Sequence, residues 1–297
     1  MNLSTLSAPI GVFDSGLGGL SVYQHLQAQL PYERVIYFAD TLNVPYGNRS
    51  AQDIVRLTEL AVSWLVHAGC KLIVIACNSA SAYALERVRT LYPAVPIVGL
   101  VPALKPAVLA SQNKQVAVLA TRATLEGELL ARVINEYATP HAVKVIKYFD
   151  ADLVPWVEAG MPTDAPPAKR LREMLNVWTG QGVDFLVLGC THYPFFRPFL
   201  EQEIFHKNYN LRIVDSGKAI ADRVVSLLKQ HKMMNRNSSD IAARIAAYSI
   251  EDVVHRPAKV HTDLQSPALQ FYYTDISHEA ETLQQKVKQL LTGSTNL

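Results

Sequence analysis

The sequence predicts an α/β protein of two pseudo-symmetric lobes with mainly parallel sheets, and three observations lead there. Short β-type runs alternate with helical patterns along the chain. The runs are apolar throughout, as strands covered on both faces must be. Four of them recur in the same order further on, at offsets of 106, 111, 113 and 116 residues.

In order, Ile10–Asp14 corresponds to Val116–Ala120, Val35–Phe38 to Ile146–Phe149, Leu72–Cys77 to Phe185–Cys190, and Val95–Val98 to Leu211–Val214. Generic buried strands resemble one another, so one such pair would mean little. Four in register, one ending each time in Cys and a small polar residue, point to duplication. Between them lie helical patterns over 20–30, 51–68, 80–91, 123–137, 168–179 and 219–228. In the second of these Ile54, Leu57, Ala61 and Leu65 share one face. A last helix over 280–291 aligns Leu283, Val287 and Leu290.

The second set of four strands is complete by Asp215, so the remainder is expected to return to the first lobe. That gives one domain from 1–101 plus 216–297, a second from 102–215, and an active site in the cleft between them. Residues 235–240 read as a turn and 257–267 as a loop.

Composition narrows the function. A chain that is 49% hydrophobic and 18% charged is a folded protein, and a net charge of +2 offers no footprint for nucleic acid or an anionic membrane. The cluster Lys229, His231, Lys232 and Arg236 reads as a solvated helix end. No apolar run reaches membrane-spanning length, and residues 1–9 do not read as a secretory signal. Three cysteines without close spacing suit a reducing, cytoplasmic compartment better than a disulfide framework.

Two of those cysteines stand out. Ligands of open α/β sheets sit beyond the carboxyl ends of the strands, and Cys77 and Cys190 each end an equivalent strand. Asn78-Ser79 and Thr191-His192 follow them. A helix N-terminus favours the thiolate over a thiol of ordinary pKa about 8.5 and can hold a substrate carboxylate. Any one cysteine at a strand end is more simply a small buried hydrophobe, the reading kept for Cys70. A symmetric pair suits inversion of a tetrahedral carbon, in which one face loses a proton and the other gains one.

Other chemistries fit the residues less well. Gly16-Leu-Gly18-Gly19, with Asp40 downstream, suggests a dinucleotide fingerprint but has Ser21 at the third glycine position. A thiol hydrolase using His192 leaves one cysteine unexplained. A zinc site on Cys190 and His192 lacks further ligands, and a two-lobed periplasmic receptor would need a signal.

At these residues the chain resembles the glutamate racemase family, within the wider aspartate/glutamate racemase group. The resemblance rests on Gly11-Val-Phe-Asp14-Ser15-Gly16-Leu-Gly18-Gly19, Asp40-Thr41 with Pro45-Tyr46-Gly47, Ala76-Cys77-Asn78-Ser79-Ala80-Ser81 and Leu188-Gly189-Cys190-Thr191-His192-Tyr193-Pro194. It implies a racemase that needs no pyridoxal phosphate, other cofactor or metal, interconverts L- and D-glutamate, and supplies D-glutamate for peptidoglycan. It also implies a homodimer.

Carried over residue by residue, Cys77 takes the proton from D-glutamate and Cys190 from L-glutamate, while Asp14 and His192 assist them. Glu158, in Leu153-Val-Pro-Trp-Val-Glu158, resembles an auxiliary acid. Asp14, Ser15, Tyr46, Gly47, Asn78, Ser79, Thr191 and His192 line the substrate site. Ser79 departs from the family's more frequent Thr by one methyl. The run Phe271-Tyr-Tyr-Thr274-Asp275 resembles a terminal strand without its usual Gly, and residues 232–268 fit poorly, as an insertion would. The short N-terminus lacks the extension of precursor-activated members, so that regulation is not expected.

Overall fold

The computed structural model describes residues 6–235, 245–249, 268–274 and 280–292. Arg236, residues 236–240 of the turn-like stretch, the loop-like 257–267 and Asp275 lie outside them. The chain forms two compact units, the first running to Leu100 and resuming over Gly217–Thr292, the second Val101–Ser216.

The first unit contributes β1 (Ile10–Asp14), β2 (Val35–Ala39), β3 (Leu72–Ile75) and β4 (Ile97–Gly99); the second, β5 (Gln115–Ala120), β6 (Lys144–Tyr148), β7 (Phe185–Gly189) and β8 (Arg212–Val214). Two late strands, β9 (Ile245–Ser249) and β10 (Leu269–Tyr273), join the first sheet, whose order is β4-β3-β1-β2-β10-β9. The second sheet runs β6-β5-β7-β8. Every pairing is parallel. The two halves are wound alike: in each, the first strand lies between the second and third, with the fourth outside the third.

Ladder registers test the internal alignment residue by residue. Ile10 pairs with Leu72 as Val116 pairs with Phe185, and Ile73 with Ile97 as Leu186 with Ile213. These match the sequence offsets for the first, third and fourth strands. The second differs, because Ile10 pairs with Val35 whereas Val116 pairs with Val145, one residue before the Ile146 matched by sequence. The sequence match sets Tyr37-Phe38 against Tyr148-Phe149. In a strand, a one-residue slip exchanges the two faces, and the face decides the register.

Both faces of the second sheet are covered. Ala117, Leu119, Leu186 and Leu188 enter one apolar cluster, while Val116, Val118, Phe185 and Val187 enter another on the opposite face. This alternation is the pleat's period of two. Fully covered strands explain why the runs read as uninterrupted apolar stretches.

Helices also follow the pattern, with two local departures. The helix Ala51–His67 buries Ile54, Leu57, Ala61 and Leu65 and begins at Ser50, whose hydroxyl accepts the Asp53 N–H. The helix after β3 spans Asn78–Leu91, two residues earlier than expected, because Cys77 itself is the cap. Residues 123–137 are not one helix. Gly127, extended at ψ 149°, separates Arg122–Glu126 from Glu128–Val133, and a π-helical turn Ile134–Ala138 follows. Ile245–Ser249, within the stretch that fits the family poorly, forms the sheet's outer strand.

At the amino ends of the first unit's strands, Lys71 Nζ donates to Glu33 Oε2 at 2.6 Å and to the carbonyls of Leu6 and Met233. Glu33 Oε1 accepts the Asn235 N–H. Both side chains are almost fully buried, so the pair ties three distant segments together without reaching the carboxyl ends.

Candidate active site

The winding gives each unit a point where the strand order reverses, between its first and third strands. Connections leave the first and third strands of such a sheet on opposite faces, which opens a binding position at their carboxyl ends. In the first unit those ends carry Asp14, the last residue of β1, and Cys77, two residues beyond β3. The Ala76 N–H donates to Phe13 O at 2.6 Å, extending the alignment past the strand.

Cys77 is half strand end and half helix cap. Its Sγ accepts the Ala80 N–H at 3.4 Å and lies 3.6 Å from Ser15 Oγ. A backbone N–H in the first helical turn is an orphan donor, and directing it at sulfur stabilises negative charge there. Asn78 and Ser79 form the first turn and are buried. Asn78 Nδ2 has no hydrogen-bond partner among the described residues, so a buried donor is left open in the turn that follows Cys77.

Asp14 Oδ2 accepts the Gly19 N–H at 2.8 Å and lies 3.3 Å from the Tyr37 hydroxyl. The glycine-rich loop therefore folds onto its own strand's carboxylate. A Cβ at Gly19 would meet Tyr37 Oη at 2.6 Å, Ala76 Cβ at 2.9 Å and Asp14 Cβ at 3.0 Å. Gly19 serves internal packing, which removes the reason to read the loop as a phosphate cradle.

Asp40 is likewise committed. Its carboxylate accepts from Tyr46 at 2.6 Å, Thr274 at 2.8 Å and Asn43 at 2.9 Å. Tyr46 is buried in the turn Tyr46–Asn48 that also holds Gly47, and burial followed by the Asp40 charge pushes its phenol well up. Its hydroxyl is thus a structural donor to Asp40. Cys70 is a buried thiol pushed up by burial alone, with no catalytic neighbours.

In the second unit Cys190 directly follows β7 and is buried, as are Thr191 and His192. No α-helix starts here. A 3₁₀ turn, Tyr193–Phe196, comes first, and the Tyr193 N–H donates to Cys190 O at 3.1 Å. Instead of a helix end, Cys190 has His192, whose Nε2 lies 3.1 Å from Glu158 Oε1. Burial opposes charge on this imidazole, but hydrogen bonds and charges from Cys190 and Glu158 outweigh it and raise its pKa to about 10. Both partners favour the charged form of the ring over the neutral one. The two thiols occupy equivalent positions and are supported by different chemistry.

The structure thus gathers Asp14, Ser15, Cys77, Asn78 and Ser79 at one strand-end position, and Cys190, Thr191, His192 and Glu158 at another. Tyr37 was missed: a tyrosine inside an apolar strand gives no spacing signal. Among the described residues, no three His, Cys, Asp or Glu side chains are grouped to hold a metal, and no helix is long and apolar enough to cross a membrane.

A family model for Asp/Glu/hydantoin racemases matches residues 10–224. The chain belongs to that family. Among members, this racemase-family chain is 45% identical to glutamate racemase of Deinococcus radiodurans over 255 residues, 86% of each protein. It is 38% identical to that of Stutzerimonas stutzeri over 232 residues, 78% of this chain and 86% of the relative. Glutamate racemase of Francisella tularensis, solved with D-glutamate, superposes with TM-score 0.74 at 26% identity, covering 97% of this chain and 94% of that one. The Escherichia coli glutamate racemase, solved with L-glutamate and the activator UDP-MurNAc-Ala, gives 0.68 at 30% identity, covering 90% and 98%.

Proposed function

We propose that this chain is a glutamate racemase that moves the α-proton between two cysteines without pyridoxal phosphate or metal. One observation carries the mechanism. Cys77 follows Leu72, and Cys190 follows Phe185, by the same five residues, and Leu72 and Phe185 pair with the equivalent residues Ile10 and Val116 of the central strands. The glutamate racemases to which the chain is similar support the substrate.

On this reading the Cys190 thiolate takes the α-proton of L-glutamate, and the C–H electron pair stays on carbon beside the carboxylate. The Cys77 thiol then delivers its proton to the opposite face. The products are D-glutamate, a Cys190 thiol and a Cys77 thiolate, and the reverse reaction exchanges the roles. The His192 imidazolium is a charge partner for the Cys190 thiolate, and Glu158 holds that imidazole. On the other side the Ala80 N–H and Ser15 support sulfur, with Asp14 assisting. Asn78 and Ser79, with Thr191 and the backbone of the turn that holds Tyr46 and Gly47, bind the substrate. Provision of D-glutamate for peptidoglycan, a cytoplasmic location and a homodimeric state belong to the same proposal.

The test is polarimetric. Purified protein, given each enantiomer of glutamate and of aspartate without added cofactor, should racemise glutamate from both sides. Faster turnover of aspartate would overturn the substrate assignment, and activity lost on chelation but restored by a metal would overturn the cofactor-free chemistry.

A further inference from the structure

We propose that Tyr37 is a positioning residue for the Cys77 half of the reaction, holding Asp14 in place whether that carboxyl is charged or protonated. The inference rests on the racemase reading above and extends it to a residue that touches no substrate.

The geometry is specific. Tyr37 sits in the middle of β2, fully buried, with its hydroxyl 3.3 Å from Asp14 Oδ2 and 3.2 Å from Gly16 O. A phenol has one proton to donate and lone pairs to accept. With two acceptors at nearly equal distance, it can share its proton between them while Asp14 is a carboxylate. If Asp14 takes up a proton, the same hydroxyl donates to Gly16 O and accepts from the acid. The carboxyl then changes protonation state without losing its partner or turning.

Two further contacts and the space left at Gly19 hold this hydroxyl where it is. The Gly19 N–H fixes the same carboxylate oxygen at 2.8 Å. The absence of a side chain at Gly19 is what makes room for the phenol. The Tyr37 ring stacks on Phe271 of β10, with centroids 4.9 Å apart and planes 17° from parallel. Burial, then the Asp14 charge and hydrogen bond, push the phenol well above its ordinary range, so it stays a hydroxyl and does not itself carry the α-proton. Asp14 precedes Ser15, which touches Cys77. Through Phe271, a strand from the end of the chain supports the charge arrangement at the first thiol.

Tyr37→Phe removes the hydroxyl and keeps the stacked ring. Enantiomers are equal in energy, so any variant must lose kcat/KM equally in the two directions, and the loss expected is roughly tenfold, the scale of one hydrogen bond to a charged group. The discriminating readout is the primary isotope effect with α-deuterated substrate. Slowing proton transfer at Cys77 alone should raise the isotope effect on kcat/KM for D-glutamate and lower it for L-glutamate. A purely structural defect lowers activity and leaves that balance as in the wild type. An unchanged balance in a folded Tyr37→Phe enzyme overturns the proposal.

Should Tyr37→Phe fail to fold, Phe271→Leu carries the test, since it keeps the hydroxyl and loosens the ring. The same shift is expected at smaller size, and an unchanged balance there counts equally against the proposal. Failure of the racemase reading is distinguishable, because it appears in the wild type as absent glutamate turnover.

Discussion

His192 Nε2 lies 3.1 Å from Glu158 Oε1, joining a residue of the Cys190 loop to the last residue of the helix Leu153–Glu158. Glu158 is one of two groups that raise the pKa of the His192 imidazole, to about 10, so Glu158→Gln should lower it. A group whose pKa is raised on folding contributes fully below its unfolded value, about 6.5, and the contribution disappears as pH rises through the folded value. The wild type should therefore lose this stabilisation as pH approaches 10, and Glu158→Gln should lose it at lower pH. Imidazole NMR titration and denaturant midpoints between neutrality and pH 10 check both. Identical titrations in the two proteins would remove Glu158 from the proton chemistry.

The cysteines should separate cleanly. Cys77→Ser and Cys190→Ser are each expected to abolish racemisation, because inversion needs both faces served. Each should retain elimination from a β-substituted analogue only for the enantiomer facing the surviving thiol. Cys70→Ala, at a buried site without catalytic neighbours, should keep wild-type turnover and lose about 1 kcal/mol of stability. Turnover assays and urea midpoints distinguish these outcomes, and near-normal racemisation by either serine variant contradicts the pairing.

Gly19→Ala should be costly at a position whose importance is spatial. The added Cβ meets Tyr37 Oη, Ala76 Cβ and Asp14 Cβ at 3.0 Å or less, and none of these is a free surface group. Overpacking of this kind costs about 1–3 kcal/mol. Activity should fall with stability, because the same three residues border the Cys77 position. A variant as stable and active as wild type would show that the loop relaxes outward.

The Lys71–Glu33 pair predicts a stability effect remote from the chemistry. Lys71→Met leaves Glu33 buried without its cation, and breaking such a pair from one side costs about 3–5 kcal/mol. Glu33→Leu combined with Lys71→Met should recover much of that loss. Chemical denaturation of the three proteins measures it, and a double variant no better than the single would assign the cost to the backbone contacts of Lys71.

Much of this was legible in the chain because parallel strands covered on both faces advertise themselves as apolar runs. The duplication and the positions of Cys77 and Cys190 follow from that, and the faces of the helices at 51–67 and 280–292 follow from apolar residues at helical spacing. What escaped has physical reasons. The strand β6 is an edge strand with exposed Lys144 and Lys147, so its faces are weakly marked and its register slipped by one. Cysteine is not among the usual N-cap residues, which hid the true start of the helix at Asn78. Tyr37 with Asp14, and Lys71 with Glu33, depend on contacts between segments distant in sequence, and no local pattern announces them.

The central claim is that two thiols serve opposite faces, and solvent isotope incorporation tests it most directly. When L-glutamate is turned over in D₂O, Cys190 should remove the α-proton while Cys77, already exchanged with solvent, delivers deuterium. At low conversion the D-glutamate formed should carry α-deuterium, and the remaining L-glutamate should stay largely protonated; the mirror result is expected from D-glutamate. Mass spectrometry of the separated enantiomers provides the measurement. Substantial α-protonated product at low conversion would mean that one base returns the same proton to the other face, and would contradict the two-cysteine account.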